Sequence, residues 1–351
     1  MKTITRTNYV KNIFFLATLC LGTTLFAQEE ADEEKKPLSL SGSVDAYYRT
    51  NLSSTDVGSQ APGSSFANES GFALGFANII ASYEGAKTGA VADLAFGPRA
   101  FQAVGGDEGI FVNQLYAYWN VSEKTTLTLG RFNTYLGYEV ISPAANFNYS
   151  TSYLFSYGPF SHVGLKANFA LSEDFNLMLA VMNVTDENFN GTSGSIPGAY
   201  SLGAQLGYSG QFLNFYYDGN AKLGFEIDYT GGFDLSDTFF LGLNAAYQDN
   251  DGTGFFGAAI YPQLATSDSF KIGLRGEYFA ESGDYGAIYG AGGIEDLSVF
   301  AATLTGSYTI ENLIIKPELR IDSASDNAVF FNADGTTKNL SSFLIAAIYS
   351  F

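Results

Sequence analysis

One pattern limits what this chain can fold into: apolar and polar side chains alternate, over runs of ten to thirteen residues, from Leu38 to the last residue. In NLIIKPELRIDS, Leu313, Ile315, Pro317, Leu319 and Ile321 share one face, while Lys316, Glu318, Arg320 and Asp322 share the other. A strand sends successive side chains to opposite faces, whereas helical spacing would spread both classes around a cylinder. KIGLRGEYFAE splits the same way, with Ile272, Leu274 and Tyr278 opposite Lys271, Arg275 and Glu277. So does SHVGLKANFAL, with Val163, Leu165, Ala167 and Phe169 opposite His162, Lys166 and Asn168. A soluble antiparallel sheet with one face in a core alternates as well, so the period by itself leaves the surroundings of the sheet open.

Three further features favour lipid. The runs are longer than the ~5 to 6 residues of a globular strand and match the ~9 to 11 that cross a bilayer. Connections alternate between tight turns (SEKT, SED, ENL) and long segments at Ser53 to Ser70, Glu139 to Pro159, Ser282 to Glu295 and Ser323 to Asn339; short turns on one side and long loops on the other belong to outer-membrane barrels. Aromatic residues such as Tyr48 and Trp119 stand near strand ends, as in an interfacial girdle. The expected strands are 38–51, 71–84, 88–99, 109–121, 125–137, 159–171, 174–184, 198–209, 211–219, 221–232, 237–248, 254–265, 269–281, 295–309, 312–322 and 340–351. This is an all-β, antiparallel transmembrane barrel of about sixteen strands, with fourteen as the alternative because 211–220 is weak. No run of ~18 apolar residues is present to form a membrane helix.

The amino terminus reads as a targeting segment. Lys2, Arg6 and Lys11 precede the apolar run Ile13 to Ala27, the layout of a secretory signal peptide. Residues 1–27 are therefore expected to be cleaved, 28–37 to form an acidic periplasmic arm, and 38–351 to form the barrel. The only Cys, Cys20, would leave with the signal, and one Cys excludes a disulfide framework. The net charge of -19 argues against a nucleic-acid partner, which requires a basic footprint. At the other end, Phe343, Ile345, Ala347, Tyr349 and Phe351 share one face of the last strand. A terminal Phe on such a strand looks like the signal by which barrel-assembly machinery recognises its clients.

The inward phases name the candidates for lining a water-filled lumen. Basic ones are Arg49, Arg99, Lys166, Lys222, Lys271, Arg275, Lys316 and Arg320; acidic ones are Asp45, Asp93, Glu226, Asp228, Glu277, Glu318 and Asp322. Rings of such groups set ion selectivity, or else opposite charges pair across strands. The connection from Glu139 to Pro159 is rich in Asn, Ser and Tyr; by analogy with general porins, whose third outer loop folds inward and narrows the pore, Glu139, Asn146, Asn148 and Tyr153 would face Arg131 and a basic wall, and the alternative is a loop that caps the barrel from outside. The phase of Arg131 is ambiguous, because Leu127 and Leu129 share its face.

The stretch from Leu129 through Phe175, with NVTDENFN after it, resembles the OmpL-like family of outer-membrane β-barrel porins. The matching positions are Gly130, Arg131, Phe132, Gly137, Glu139, Asn146, Ser150, Pro159 and Gly164. Where members of that family often carry Asn-Gly, this chain has Asn183-Val184-Thr185. The resemblance implies a passive channel and carries over no assigned substrate; taken with the polar inward phases, the expectation is a channel in a Gram-negative outer membrane for small hydrophilic solutes or ions, with no cofactor.

Other classes fit less well. A lipid-modifying barrel enzyme needs a His base beside a Ser nucleophile, yet Ser161 falls on the opposite face from His162. A hydrophobic-solute transporter would place an apolar plug inside, whereas the inward phases are mostly polar. A structural or adhesive barrel stays open as a non-channel alternative. Asp249-Asn250-Asp251-Gly252 lacks the remaining ligands of a calcium loop and reads as a hairpin. Expected contacts are membrane lipid, lipopolysaccharide and the assembly machinery, and oligomerisation is left open.

Overall fold

A computed structural model describes residues 37–53, 60–104, 112–184, 199–332 and 334–351. The expected signal peptide and nearly all of the acidic arm lie outside these residues. Sixteen strands close into one antiparallel barrel. They are β1 (Leu38–Asn51), β2 (Gly71–Glu84), β3 (Thr88–Phe96), β4 (Val112–Ser122), β5 (Thr125–Asn133), β6 (Ser161–Ala170), β7 (Phe175–Asn183), β8 (Tyr200–Tyr208), β9 (Gln211–Tyr217), β10 (Phe225–Asp234), β11 (Phe239–Asn250), β12 (Thr253–Ala265), β13 (Phe270–Ser282), β14 (Ser298–Ile310), β15 (Leu313–Ala324) and β18 (Asn339–Ser350). The short strands β16 (Phe330–Asn332) and β17 (Gly335–Thr337) form a separate hairpin in the last long connection. The weak segment at 211–217 is a full member of the wall, paired to both neighbours. Each barrel strand pairs with its neighbours in sequence, and β18 returns to β1, with Ser43 opposite Ser350. Gly42 and Phe351 exchange two backbone hydrogen bonds at 3.0 Å and complete the seam.

The alternation sorts side chains between two unlike environments. On β15, Leu319 and Ile321 are 45% and 56% exposed, while Lys316, Glu318, Arg320 and Asp322 are buried. A soluble sheet does the reverse. Apolar side chains lie outward on strand after strand, from Phe72 and Leu74 on β2 to Ile345 and Tyr349 on β18, which is the band a membrane barrel presents to hydrocarbon. The face of β18 expected to carry the assembly signal, Phe343, Ile345, Tyr349 and Phe351, is this outward face.

Turns follow backbone chemistry. Ser209 and Gly210 both have positive φ, 47° and 81°, as a two-residue hairpin turn of the favoured hand requires. Asp251 and Gly252, at 55° and 88°, form another, so Asp249 to Gly252 is a hairpin. That turn lies on the side of the long loops, and the asymmetry of connection lengths is therefore incomplete. The segment between β9 and β10 is also compact, held by Asp218, whose carboxylate accepts backbone N–H groups from Ala221, Lys222, Leu223 and Gly224. Lys222 is exposed in this loop, not in the lumen, because the expected strand start at 221 is taken up by the turn.

Candidate functional site

The connection from Thr134 to Phe160 enters the barrel. Its sequence forms almost no regular structure of its own, only the five-residue helix α2 (Tyr153–Tyr157), capped by the Ser152 hydroxyl accepting from Phe155 N–H at 3.0 Å. Unpaired backbone groups must find partners when buried. The charged wall supplies them.

Arg275 on β13 donates to Glu139 Oε1 at 2.7 Å, to the Ser150 carbonyl at 2.6 Å and to the Thr151 carbonyl at 3.1 Å. Glu277 accepts the N–H groups of Tyr153 and Leu154 at 3.1 and 2.9 Å. On β15, Lys316 donates to the carbonyls of Pro143 and Asn146, and Glu318 accepts from Tyr149 N–H at 2.9 Å and from the Ser150 hydroxyl. Arg320 reaches the Thr151 carbonyl at 2.7 Å while held by Asp322 at 2.8 Å. On strands to either side of this sector, Asp45 on β1 accepts from the Tyr149 phenol, and Asp228 on β10 accepts from Gly137 N–H at 3.0 Å. The wall charges thus bind loop backbone far more than they bind each other.

Loop aromatics fit the wall at glycines. Tyr135 lies against Gly203 of β8, Tyr138 against Gly242 of β11 and Phe147 against Gly273 of β13, so that a methyl group at these positions would come within 2.9, 2.7 and 2.9 Å of the respective ring Cζ atoms. Tyr138 also stacks on Tyr261, ring centroids 4.3 Å apart, and the Tyr135 phenol donates to the Phe215 carbonyl at 2.7 Å. Burial raises the Tyr138, Tyr149 and Tyr153 phenols above the ordinary tyrosine range, which keeps them protonated.

Other connections fill the space beside this loop. Arg99 is not on a strand but in a short helix, α1 (Pro98–Val104), which begins where the chain bends at Gly97. It still points inward, donating to the carbonyls of Ile141 and Tyr149 at 2.7 and 2.9 Å. Arg49 binds the Gln60 carbonyl at 2.7 Å in the first long connection. Apolar clusters form inside the barrel too: Phe66, Phe76, Ala100, Ile141 and Phe155 in one, Tyr153, Leu154, Phe255, Tyr261 and Phe279 in another. The expectation of a mostly polar, water-lined interior is corrected accordingly, because inserted loops bring their own apolar side chains and need apolar wall to meet them.

Of the remaining lining candidates, Arg131 leaves the inward phase, while Lys271 and Lys166 keep it, away from the loop. Arg131 pairs across strands with Leu115 and Val163, on the outward phase that Leu129 also follows, and its Nε donates to the Asn113 carbonyl at 3.3 Å. It does not face Glu139. Lys271 has the inward phase of Arg275 but is exposed at the short-turn mouth. Lys166 is half-buried, its ammonium 4.3 Å from the Phe132 ring centroid. Sequence reasoning missed the glycine seats. The signal was present, since glycine on the inward phase of a strand marks a place where something approaches closely.

Residues 37–351, the whole barrel, match the family model described as "Putative beta-barrel porin-2, OmpL-like". The chain belongs to that family. This OmpL-like barrel is an outer-membrane protein, and its fold is shared with solved porin structures at low identity. The outer membrane channel DcaP of Acinetobacter baumannii is 14% identical with a TM-score of 0.58, covering 90% of this chain and 97% of that one. An anion-selective porin from Comamonas acidovorans is 13% identical at 0.55, covering 90% and 99%. Pseudomonas putida OprB is 11% identical at 0.62, covering 90% and 94%. No curated protein matches the chain.

Proposed function

We propose that this protein is a channel for passive diffusion of small hydrophilic solutes or ions, and that the loop from Thr134 to Phe160 decides what passes. The observation that carries this reading is the wall beneath the loop. Arg275, Glu277, Lys316, Glu318, Arg320 and Asp322 line one sector of the barrel interior. Burying charges in this number costs several kcal/mol per ion unless each is partnered, and apolar packing of the same volume is often at least as stable. Charged side chains facing inward are what govern passage through a water-filled lumen, and here the same groups hold the loop that stands in it. The names of the structural relatives, a channel and an anion-selective porin, support the reading.

The protein is read as non-enzymatic. His162 Nε2 bonds the Thr134 hydroxyl at 2.8 Å and the ring lies among Phe132, Tyr135 and Tyr216, an environment that orients a loop base and not a nucleophile. The competing reading is a structural barrel whose interior stays filled, favoured by the apolar clusters inside. Planar-bilayer recordings in a salt gradient separate them. Discrete conductance steps from folded protein, with a reversal potential that reports ion preference, are expected, and their absence even after the loop is excised would leave only the structural reading.

A further inference from the structure

Each of the sixteen barrel strands carries, in the half toward the long loops, an inward side chain no more than 3% exposed, among them Phe132, His162, Tyr216, Phe255, Phe279 and Asp322. The centre of the inserted loop is as dry: Asn148 to Phe155 are all 4% exposed or less. Open lumens wet their walls. A ring of dry wall around a dry loop is a closed cross-section among the described residues.

We infer that residues 134–160 are a plug that holds the channel shut at rest, latched by Tyr135, Tyr138 and Phe147 in the seats made by Gly203, Gly242 and Gly273. This rests on the channel reading above and adds its regulation. Two kinds of contact hold the loop, and they differ in what happens on withdrawal. The polar contacts are exchangeable: when the loop leaves, water takes over the hydrogen bonds of Arg275, Glu277, Lys316, Glu318 and Arg320, and charged groups are hydrated well. The seated rings have no such replacement, because rings pulled from their notches expose apolar surface to water. The seats therefore bias the loop inward, while the charges make the emptied lumen a favourable place for water. The bistable element is the loop backbone, bound either by the wall or by solvent.

The latch is tested from both sides of the contact. Gly203→Val, Gly242→Val and Gly273→Val combined fill the seats with a residue that favours strands, and Tyr135→Ala, Tyr138→Ala and Phe147→Ala combined remove the rings while leaving every strand of the barrel intact. Gly276→Ala is the control, since an added methyl there meets only Ile260 at 3.7 Å. A fourth protein replaces 137–157 with a short Gly-Ser linker. Single-channel recording should find the unaltered protein and Gly276→Ala open for a small fraction of the time, with both triple variants at least tenfold more open and the excised barrel open continuously. An unaltered protein that is open most of the time, with excision only widening it, overturns the plug and leaves the channel reading standing. Triple variants as closed as the parent beside a conducting excised barrel overturn the latch. A folded, inserted excised barrel that carries no current removes the channel reading and this inference with it.

Discussion

Replacing Arg275 with Met removes the cation that joins β13 to the inward loop while keeping most of its volume. In the closed state Arg275 and Glu139 are 0% and 3% exposed at 2.7 Å separation, and the same guanidinium serves the carbonyls of Ser150 and Thr151. Removing one partner of such a pair strands the other charge without water, at about 3–5 kcal/mol. With the loop withdrawn both groups are hydrated and the substitution costs little. The closed state alone is therefore weakened, by roughly two to three and a half powers of ten in the open-to-closed ratio. Chymotrypsin reads this directly, because the loop is rich in Tyr, Phe and Leu and cleavage follows the population of the opened form when reclosing is fast. Cutting within 134–160 should accelerate by about that factor, with the barrel's β-sheet circular dichroism unchanged. Adding Glu139→Gln should restore more than half of the protection, since a neutral amide no longer suffers stranding and its oxygen still accepts from Ser152 N–H, bound at 2.7 Å in the parent. Equal cleavage of parent and Arg275→Met, or a double variant no better protected than the single, would refute the argument.

Tyr149→Phe deletes the phenol that donates to Asp45; a hydrogen bond to a charged group contributes about 1.5–3 kcal/mol, so protease protection of the loop should drop roughly ten- to hundredfold. Leu319→Arg places a charge on the outward face of β15, where it should cost about 2–4 kcal/mol at mid-depth, seen as a lowered urea midpoint for folding into lipid vesicles; no shift would mean that this face does not meet hydrocarbon. Burial pushes the Tyr157 phenol up to about 12 from an ordinary 10. The closed loop favours its protonated form, so the stabilisation is complete below pH 10 and is lost as pH rises toward 12; chymotrypsin sensitivity should climb in that window, and less steeply in Tyr157→Phe.

The barrel itself was legible because one physical rule, period-two alternation, acts on every strand separately. The phases assigned to Leu319, Arg320, Arg275 and Glu277 each hold. Local chemistry explains where boundaries moved: the Asp218 carboxylate gathers four backbone N–H groups into a turn and takes Lys222 out of the wall, and Gly97 ends β3 before Arg99. Arg131 was ambiguous for a reason that alternation cannot cure, since an arginine near a strand end can lie on the outward phase and still bond backbone at the rim. What the charges do was less legible. Arg275 and Glu318 serve backbone groups more than a hundred residues away in sequence, and a backbone carbonyl leaves no mark on the residue type that bears it. The seats could have been found, because Gly203, Gly242 and Gly273 all sit on inward phases.

The position of Tyr149 ties the inserted loop to the closure of the barrel. Its phenol binds Asp45 on β1 and its N–H binds Glu318 on β15, strands that become next-but-one neighbours only when β18 zips between them. The loop itself lies between β5 and β6, and the strands before it and next after it cannot by themselves offer it both partners. The full set of Tyr149 contacts therefore exists only once the seam has closed, so closure of the wall and final seating of the loop are coupled.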